Sequence, residues 1–280
     1  MTGDTLPRSS RLDPDHLVAR IFEITGVRLT VEGPCPGGEV GAAYVRWPDG
    51  RRSVLSEGNS RVSPLLDQAR AAGVPTAKQE LTAHIDGRRV LVQQRLPGVP
   101  PATIDAPLVH QMVAVNTRLA GLLSRAPSAP RPVELHLSDD GPGFCLHKPL
   151  LEYGGRAARL LDWVHEVAAE LPHITGDDLV HFDFHPHNVL VESGRLTGVI
   201  DWDGATRYDG TFDLVTLRFT LGHQAPHLTG IADEALRGRD EARRRAFWAH
   251  MSLRQVDWSI RHHDPATVEA WLDVAEPGIS

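Results

Sequence analysis

A chain of 280 residues with 41% hydrophobic side chains is long enough for one large domain or two lobes around a sizeable core. No apolar run approaches the ~18 residues of a membrane span, and the opening MTGDTLPRSSRLD lacks the basic-then-apolar order of a secretory signal. The net charge of −7 is unevenly spread: residues 1–97 hold 11 acidic and 13 basic side chains (+2), and residues 98–280 hold 25 and 16 (−9). An acidic second half disfavours a nucleic-acid partner and suits a cationic small ligand.

Two widely separated cysteines, Cys35 and Cys145, need no disulfide in a chain this long, which fits a reducing cytoplasm. Of the 29 basic residues only Lys78 and Lys148 are lysines.

In chain order, residues 13–26 have helical spacing and stop at Gly26. Three strands follow over 27–33, 42–47 and 51–57, joined by a Gly/Pro turn (PCPGGEVG) and a PDG turn. A short helix over 64–73 closes at Gly73. The segment KQELTAHIDGRRVLVQQRL predicts a hairpin turned at Asp86–Gly87. The Pro-rich 97–107 reads as a connector. Beyond it the helical period dominates: 108–125, a Pro/Gly-containing loop over 126–149, 155–171, and helix from 231 to the end. The expected class is α+β with two lobes, an antiparallel-sheet lobe over 1–97 and a mainly helical lobe over 98–280.

The stretch LVHFDFHPHNVLV (179–191) concentrates the chemistry. Its three histidines, His181, His185 and His187, around Asp183 suggest a hydrolytic metal site. A mononuclear site draws ligands from distant segments as well. The only other dense patch, RHHD at 261–264, has adjacent histidines that point to different helix faces. The alternative is phosphoryl transfer, in which an Asp orients the acceptor hydroxyl. An Asn five positions later and an Asp on a following strand then hold Mg²⁺. Asp183 and Asn188 have that spacing. Asp201 ends the apolar run LTGVI 18 residues after Asp183, across a turn that returns it towards Asn188. One Asn and one Asp with phosphates suffice for Mg²⁺.

HFDFHPHNVLV…GVIDWDGA resembles the aminoglycoside phosphotransferase family, a branch of the protein-kinase-like fold, whose pattern is His-Gly-Asp-x-His-Pro-Gly-Asn followed by Ile-Asp-Trp-Glu/Asp-x-Ala. The resemblance runs over roughly residues 25 to 220 and also takes in YDGTFDLVTL, GVPTA and QRLPGVPP. It implies Asp183 as the catalytic carboxylate, Asn188 and Asp201 as Mg²⁺ ligands, His181 as structural support, and Asp213 as a brace of the catalytic loop. His185 would be a loop hydrogen-bonder. It further implies a nucleotide site formed by the glycine loop (Gly37, Gly38, Gly41) and the hinge backbone at Gln94 and Leu96.

By the same resemblance the cofactors are Mg²⁺ and ATP or GTP, and the acceptor is a hydroxyl on a small, cationic antibiotic such as an aminoglycoside or basic peptide. Transfer to it would confer resistance. Acidic candidates for binding that acceptor are Asp203, Asp209, Asp257, Glu269 and Asp273, with Trp258 and Trp271 either lining a pocket or packing in the core. The expected protein is cytoplasmic, a monomer or dimer, without nucleic-acid or membrane partners. A metabolite kinase for an amino alcohol or sugar is the rival among enzymes.

Two departures stand out. Phe182 and His187 replace glycines of the pattern. Ser56, in SVLSEG, stands where the family has a strand-three Lys or Arg for the α/β-phosphates, and a hydroxyl cannot neutralise phosphate charge. Helix 64–73 offers only Asp67 for the partnering Glu. Arg51, Arg52 and Lys78 are the candidate substitutes, and Arg52 shares a strand face with Ser56 at ~13 Å. The missing cation keeps open a non-catalytic, ligand-sequestering pseudokinase.

Overall fold

The computed structural model describes residues 13–35, 42–58, 62–125, 134–171 and 173–276. The first helix, α1 (Pro14–Thr25), is started by Asp13, whose carboxylate accepts the N–H groups of Asp15 and His16. It ends at Gly26 in the left-handed region (φ 72°). Five strands follow: β1 (Thr30–Pro34), β2 (Ala43–Arg46), β3 (Arg52–Glu57), β4 (Gln79–Ile85) and β5 (Arg88–Gln94), with α2 (Ser63–Ala71) between β3 and β4. They form one antiparallel sheet in the order β1-β2-β3-β5-β4.

Period-2 alternation divides the sheet's faces. Val45, Leu55, Ala83, Ile85, Val90 and Val92 pack against Leu17 and Ile21 of α1. The register aligns Tyr44, Val54 and Gln93 in one row and Ser56 with Leu91 in the next, on the opposite face.

The apolar side of α2 does not join that sheet core. Val62, Leu65, Leu66, Ala69 and Val74 belong to a cluster with Leu108, Val109, Leu179, Phe184, Val189 and Val199 from the second lobe. The two lobes therefore share a core through α2. Backbone contacts support the same junction: Val199 N–H donates to Pro75 O (2.8 Å), and Val99 pairs with Val191. Gly98 (φ +91°) is required there, because a Cβ would lie 2.7 Å from Val191 O.

The second lobe comprises α3 (Ala106–Leu119), α4 (His147–Tyr153), α5 (Gly155–Ala169), β6 (Asp178–Val180), β7 (Val189–Glu192), β8 (Arg195–Val199), β9 (Thr206–Tyr208), α6 (Thr211–Gln224), α7 (Thr229–Leu236), α8 (Glu241–His262) and α9 (Pro265–Ala275). Strands β6 and β9 pair, and β7 and β8 form a hairpin. The hairpin turns on Ser193 and Gly194, both at positive φ (51° and 74°), as a two-residue turn matched to strand twist requires. A second cluster packs α5, α6, α8 and α9 around Phe212, Phe219, Phe247 and Leu253.

Three helical features differ from expectation. Helix α4 begins within the stretch read as a loop. Helix α6 is buried from Thr211 to Leu221 except at Arg218, so it carries no apolar/polar period to read. The C-terminal helix breaks at Gly238 (φ +77°) and restarts at Asp240, whose carboxylate accepts Arg243 N–H.

Candidate active site

Strand β6 delivers His181, Phe182 and Asp183 beneath a short 3₁₀ turn (Pro186–Asn188) that leads into β7. Asp213, fully buried in the first turn of α6, accepts the N–H groups of His181 (2.7 Å) and Phe182 (3.0 Å). Burial pushes its carboxyl up to about 7 against the pull of those two donors. His181 is also fully buried, and burial drives it down to about 4, so the ring is neutral. Its Nε2–H donates to Ile200 O (2.8 Å) and Nδ1 accepts the Asp183 N–H (3.3 Å), which fixes the tautomer. One ring thus ties the 181–183 stretch to the residue preceding Asp201.

Phe182 holds φ +73°. A non-glycine residue pays about 1–2 kcal/mol there. Its ring stacks on Phe212 at 4.4 Å with planes 3° apart, which offsets part of that strain. The following carboxylate is densely held. Asn188 Nδ2 donates to Asp183 O (2.9 Å) and Oδ2 (3.1 Å), His185 Nε2 lies 3.3 Å from Oδ2, and Arg254 Nη2 donates to Oδ1 (2.9 Å). Burial alone would raise the Asp183 carboxyl. The His185 hydrogen bond and the charge of Arg254 overcome it and hold the group well below the usual carboxylate range. Asp183 is therefore an ionised hydrogen-bond acceptor, suited to orienting a hydroxyl rather than to deprotonating it in advance.

Asn188 spends its amide nitrogen on Asp183, so its carbonyl oxygen points elsewhere. Ile200 N–H donates to Asn188 O (3.0 Å), and the β7–β8 register brings Asp201 beside it. Asp201 has φ +61° and is exposed on one side. Protein crowding on its other side, and the carboxylates of Asp183 and Asp203, raise its carboxyl above the ordinary range. The Asp201 carboxylate and the Asn188 side-chain carbonyl are oxygen donors of the kind Mg²⁺ takes when phosphates and waters complete its shell.

The hydrolytic alternative is not supported. The three histidines face different partners: His181 the backbone, His185 the Asp183 carboxylate, and His187 the Gln224 amide at 2.9 Å. Among the described residues no group of three His, Cys, Asp or Glu side chains is arranged to hold a metal.

Nucleotide-site expectations fare unevenly. Gly37, Gly38 and Gly41 lie outside the described residues. Gln94 already donates its N–H to Lys78 O (2.8 Å), which removes that donor from base recognition. Leu96 is half-buried, with its side chain against Gly198. Ser56 accepts from Gln93 Nε2 (3.2 Å), so a neutral pair stands where an ion pair was expected. Arg51 is taken by Asp49 and Glu80, and Arg52 by Glu32. Lys78 lines a cavity of about 360 Å³ between α2 and β4 with Asp67, Arg70 and Glu80. A cation that sequence reasoning missed is Arg95, with its guanidinium 4.2 Å over the Tyr44 ring. Alternation from Gln93 places it on the face of Ser56, a signal present in QQRLPG.

Four of the five acidic substrate candidates are structural ion pairs. Asp209 accepts Thr211 N–H (2.9 Å) just before α6 and pairs with Arg243 (2.5 Å). Asp257 is fully buried, accepting from Arg261 Nε (2.7 Å) and Nη2 (2.9 Å) and from Leu146 N–H (3.1 Å). Glu269 and Asp273 bind Arg156 at 2.8 and 2.7 Å and dock α9 on α5. Their arginine partners are remote in the chain, or one helical turn on, so a run of acidic residues does not reveal them. Asp203 stays at the site, 3.6 Å from where a Cβ on Gly58 would sit. Trp271 packs in the core between Phe219 and His223, whereas Trp258 is exposed and touches His262.

The antiparallel-sheet lobe, the helical lobe and the loop between β6 and β7 define a protein-kinase-like phosphotransferase. A family model described as the phosphotransferase enzyme family matches residues 48–248, and the chain belongs to that family. No curated protein sequence matches the chain. Among solved structures it is similar to a thermostable mutant of aminoglycoside phosphotransferase APH(4)-Ia in ternary complex with ADP and hygromycin B (TM-score 0.65, 18% identity, 94% of this chain and 97% of that one). It is also similar to an aminoglycoside-3'-phosphotransferase of type VIII (0.54, 20%, 86% and 98%) and to macrolide 2'-phosphotransferase MphH from Brachybacterium faecium (0.53, 18%, 94% and 98%). At these identities the structures speak to the fold. Among the described residues no helix is long and apolar enough to cross a membrane.

Proposed function

We propose that this protein transfers the γ-phosphoryl group of ATP or GTP, with Mg²⁺, to a hydroxyl of a small antibiotic in the cytoplasm, and thereby confers resistance. One observation carries the proposal: the Asp183 carboxylate is anchored by Asn188 and Arg254, on a loop whose Asn188 backbone O accepts the N–H of Ile200, the residue before Asp201. Asn188 Oδ1 and the Asp201 carboxylate would hold Mg²⁺, which supplies neutralisation of charge on the phosphates when bound. Asp183 accepts the hydrogen bond of the acceptor hydroxyl and aims its oxygen for in-line attack. His181 and Asp213 hold the loop rigid, so this orientation precedes substrate binding.

For the acceptor, hygromycin B and the other aminoglycoside and macrolide substrates of the structural neighbours define the first panel. The −9 balance of residues 98–280 still favours a cationic member, although most of the acidic side chains proposed to meet it are internally paired. Leu96 and Arg95 are the hinge groups assigned to the nucleotide.

The test is transfer of γ-labelled phosphate from ATP or GTP to this panel with Mg²⁺, alongside Asp183→Asn. Labelled product that falls by about 10²–10⁴-fold in the variant is expected. Equal product from both proteins would sink the assignment of Asp183. A second possibility, sequestration without turnover, is favoured by the neutral Ser56–Gln93 pair. It predicts that nucleotide or antibiotic raises the melting temperature while no phosphate moves.

A further inference from the structure

Asp183 is held by more than its own loop. Arg254, on α8, spreads its guanidinium fork so that Nη1 donates to Phe182 O (3.1 Å) and Nη2 to Asp183 Oδ1 (2.9 Å). It lies on a polar stripe of an otherwise apolar buried face, with His250 one turn before it and Asp257 and Arg261 after it. Asp257, three residues on, is engaged by Arg261 through both of its oxygens and by Leu146 N–H. His250, one turn before, donates Nδ1–H to Leu135 O (2.7 Å), and its buried Nε2 makes no hydrogen bond. Arg254 instead places both prongs on the Phe182–Asp183 turn.

We infer that Arg254 is a positioning residue for phosphoryl transfer, fixing both the strained Phe182–Asp183 turn and the carboxylate face that receives the acceptor hydroxyl. Each handle of Phe182 is held by a neighbouring helix. Asp213 takes its N–H, Phe212 its ring and Arg254 its carbonyl. A carboxylate offers roughly four acceptor positions. Asn188 and His185 occupy Oδ2, and Arg254 occupies one side of Oδ1. The position remaining on Oδ1 is the one presented to the hydroxyl. A lysine would keep the charge but not the planar two-pronged grip.

This inference rests on the phosphotransfer function proposed for Asp183. The full chain is assayed with Mg²⁺-ATP, with water as acceptor and with the antibiotic panel, as wild type, Arg254→Met and Arg254→Lys. Loss of positioning lowers kcat by about 10²-fold in Arg254→Met. KM for ATP stays within about twofold, the melting temperature stays near wild type, and Arg254→Lys recovers part of the rate. An undiminished kcat in Arg254→Met overturns the inference and leaves the phosphotransferase assignment standing. A fall of kcat, ATP affinity and melting temperature together also overturns it, because it marks a structural brace. Should Arg254→Met not fold, the same kcat-against-KM split in Arg254→Lys decides between these outcomes. A wild-type protein that moves phosphate to no acceptor, water included, removes the proposed function and this inference with it.

Discussion

At the scale of single residues, the site is built from exceptions to local preference. Phe182 and Asp201 both adopt positive φ without being glycine; Asp tolerates that region, whereas Phe182 is held there by Phe212, Asp213 and Arg254. Phe182→Gly relieves about 1–2 kcal/mol of backbone strain but deletes a ring stacked on Phe212. Large-to-small truncation of an aromatic costs about 3–5 kcal/mol when fully buried, and Phe182 is half-buried. The expected net is a loss of roughly 1–2 kcal/mol in urea denaturation. A more stable variant would show that strain outweighs stacking. Ser56 poses the opposite problem, a missing charge. A lysine there would gain charge-assisted contact to phosphate, so Ser56→Lys is expected to tighten ATP binding by roughly tenfold in a titration calorimeter. Unchanged or weaker binding would show that the phosphates pass elsewhere along the sheet.

At the scale of elements, legibility depended on how local the information is. Asp183, Asn188 and Asp201 could be read because one turn and one hairpin bring them together, so spacing along the chain encodes proximity. Arg254 lies 71 residues beyond Asp183, and no spacing rule connects them. The signal that was available was the stripe His250, Arg254, Asp257, Arg261 at helical intervals. Sheet strands and amphipathic helices were legible through their periods. Helix α6 was not, since a helix buried all round has none. Acidic residues misled for a related reason: a sequence displays charge but not the partner that cancels it. The Arg156 hub illustrates this. It joins α5 to α9 through Glu269, Asp273 and Glu276, all substantially exposed. Pairs so open to solvent are weak, and Arg156→Ala is expected to cost about 1 kcal/mol in total. That loss should shrink in about 1 M salt. A salt-independent loss of several kcal/mol would mean that the hub carries packing as well as charge.

At the scale of the whole molecule, buried ionisable groups link the two helical clusters and the site to pH. His250 and His181 are fully buried and neutral, pushed down to about 3 and about 4 by burial. Between about pH 6.5 and those values the unfolded chain binds two protons that the native state does not. Asp213, raised to about 7, acts in the opposite direction: the native state holds one proton that the unfolded chain lacks between about pH 4 and 7. Stability from the histidines is present above about 6.5 and lost as pH falls, whereas that from Asp213 is present at low pH and lost as pH rises through 7. Between them these three groups contribute a net one-proton fall in stability of about 1.4 kcal/mol per pH unit from about pH 6 to about pH 4.5. Replacing one histidine removes one of these protons from the balance. His250→Gln, whose amide retains a donor for Leu135 O, should lower the wild-type slope by about 1.4 kcal/mol per pH unit over that window in denaturant titrations at pH 6.0, 5.25 and 4.5. If the variant kept the wild-type slope, His250 would not be the group whose exclusion of a proton makes the native state acid-labile.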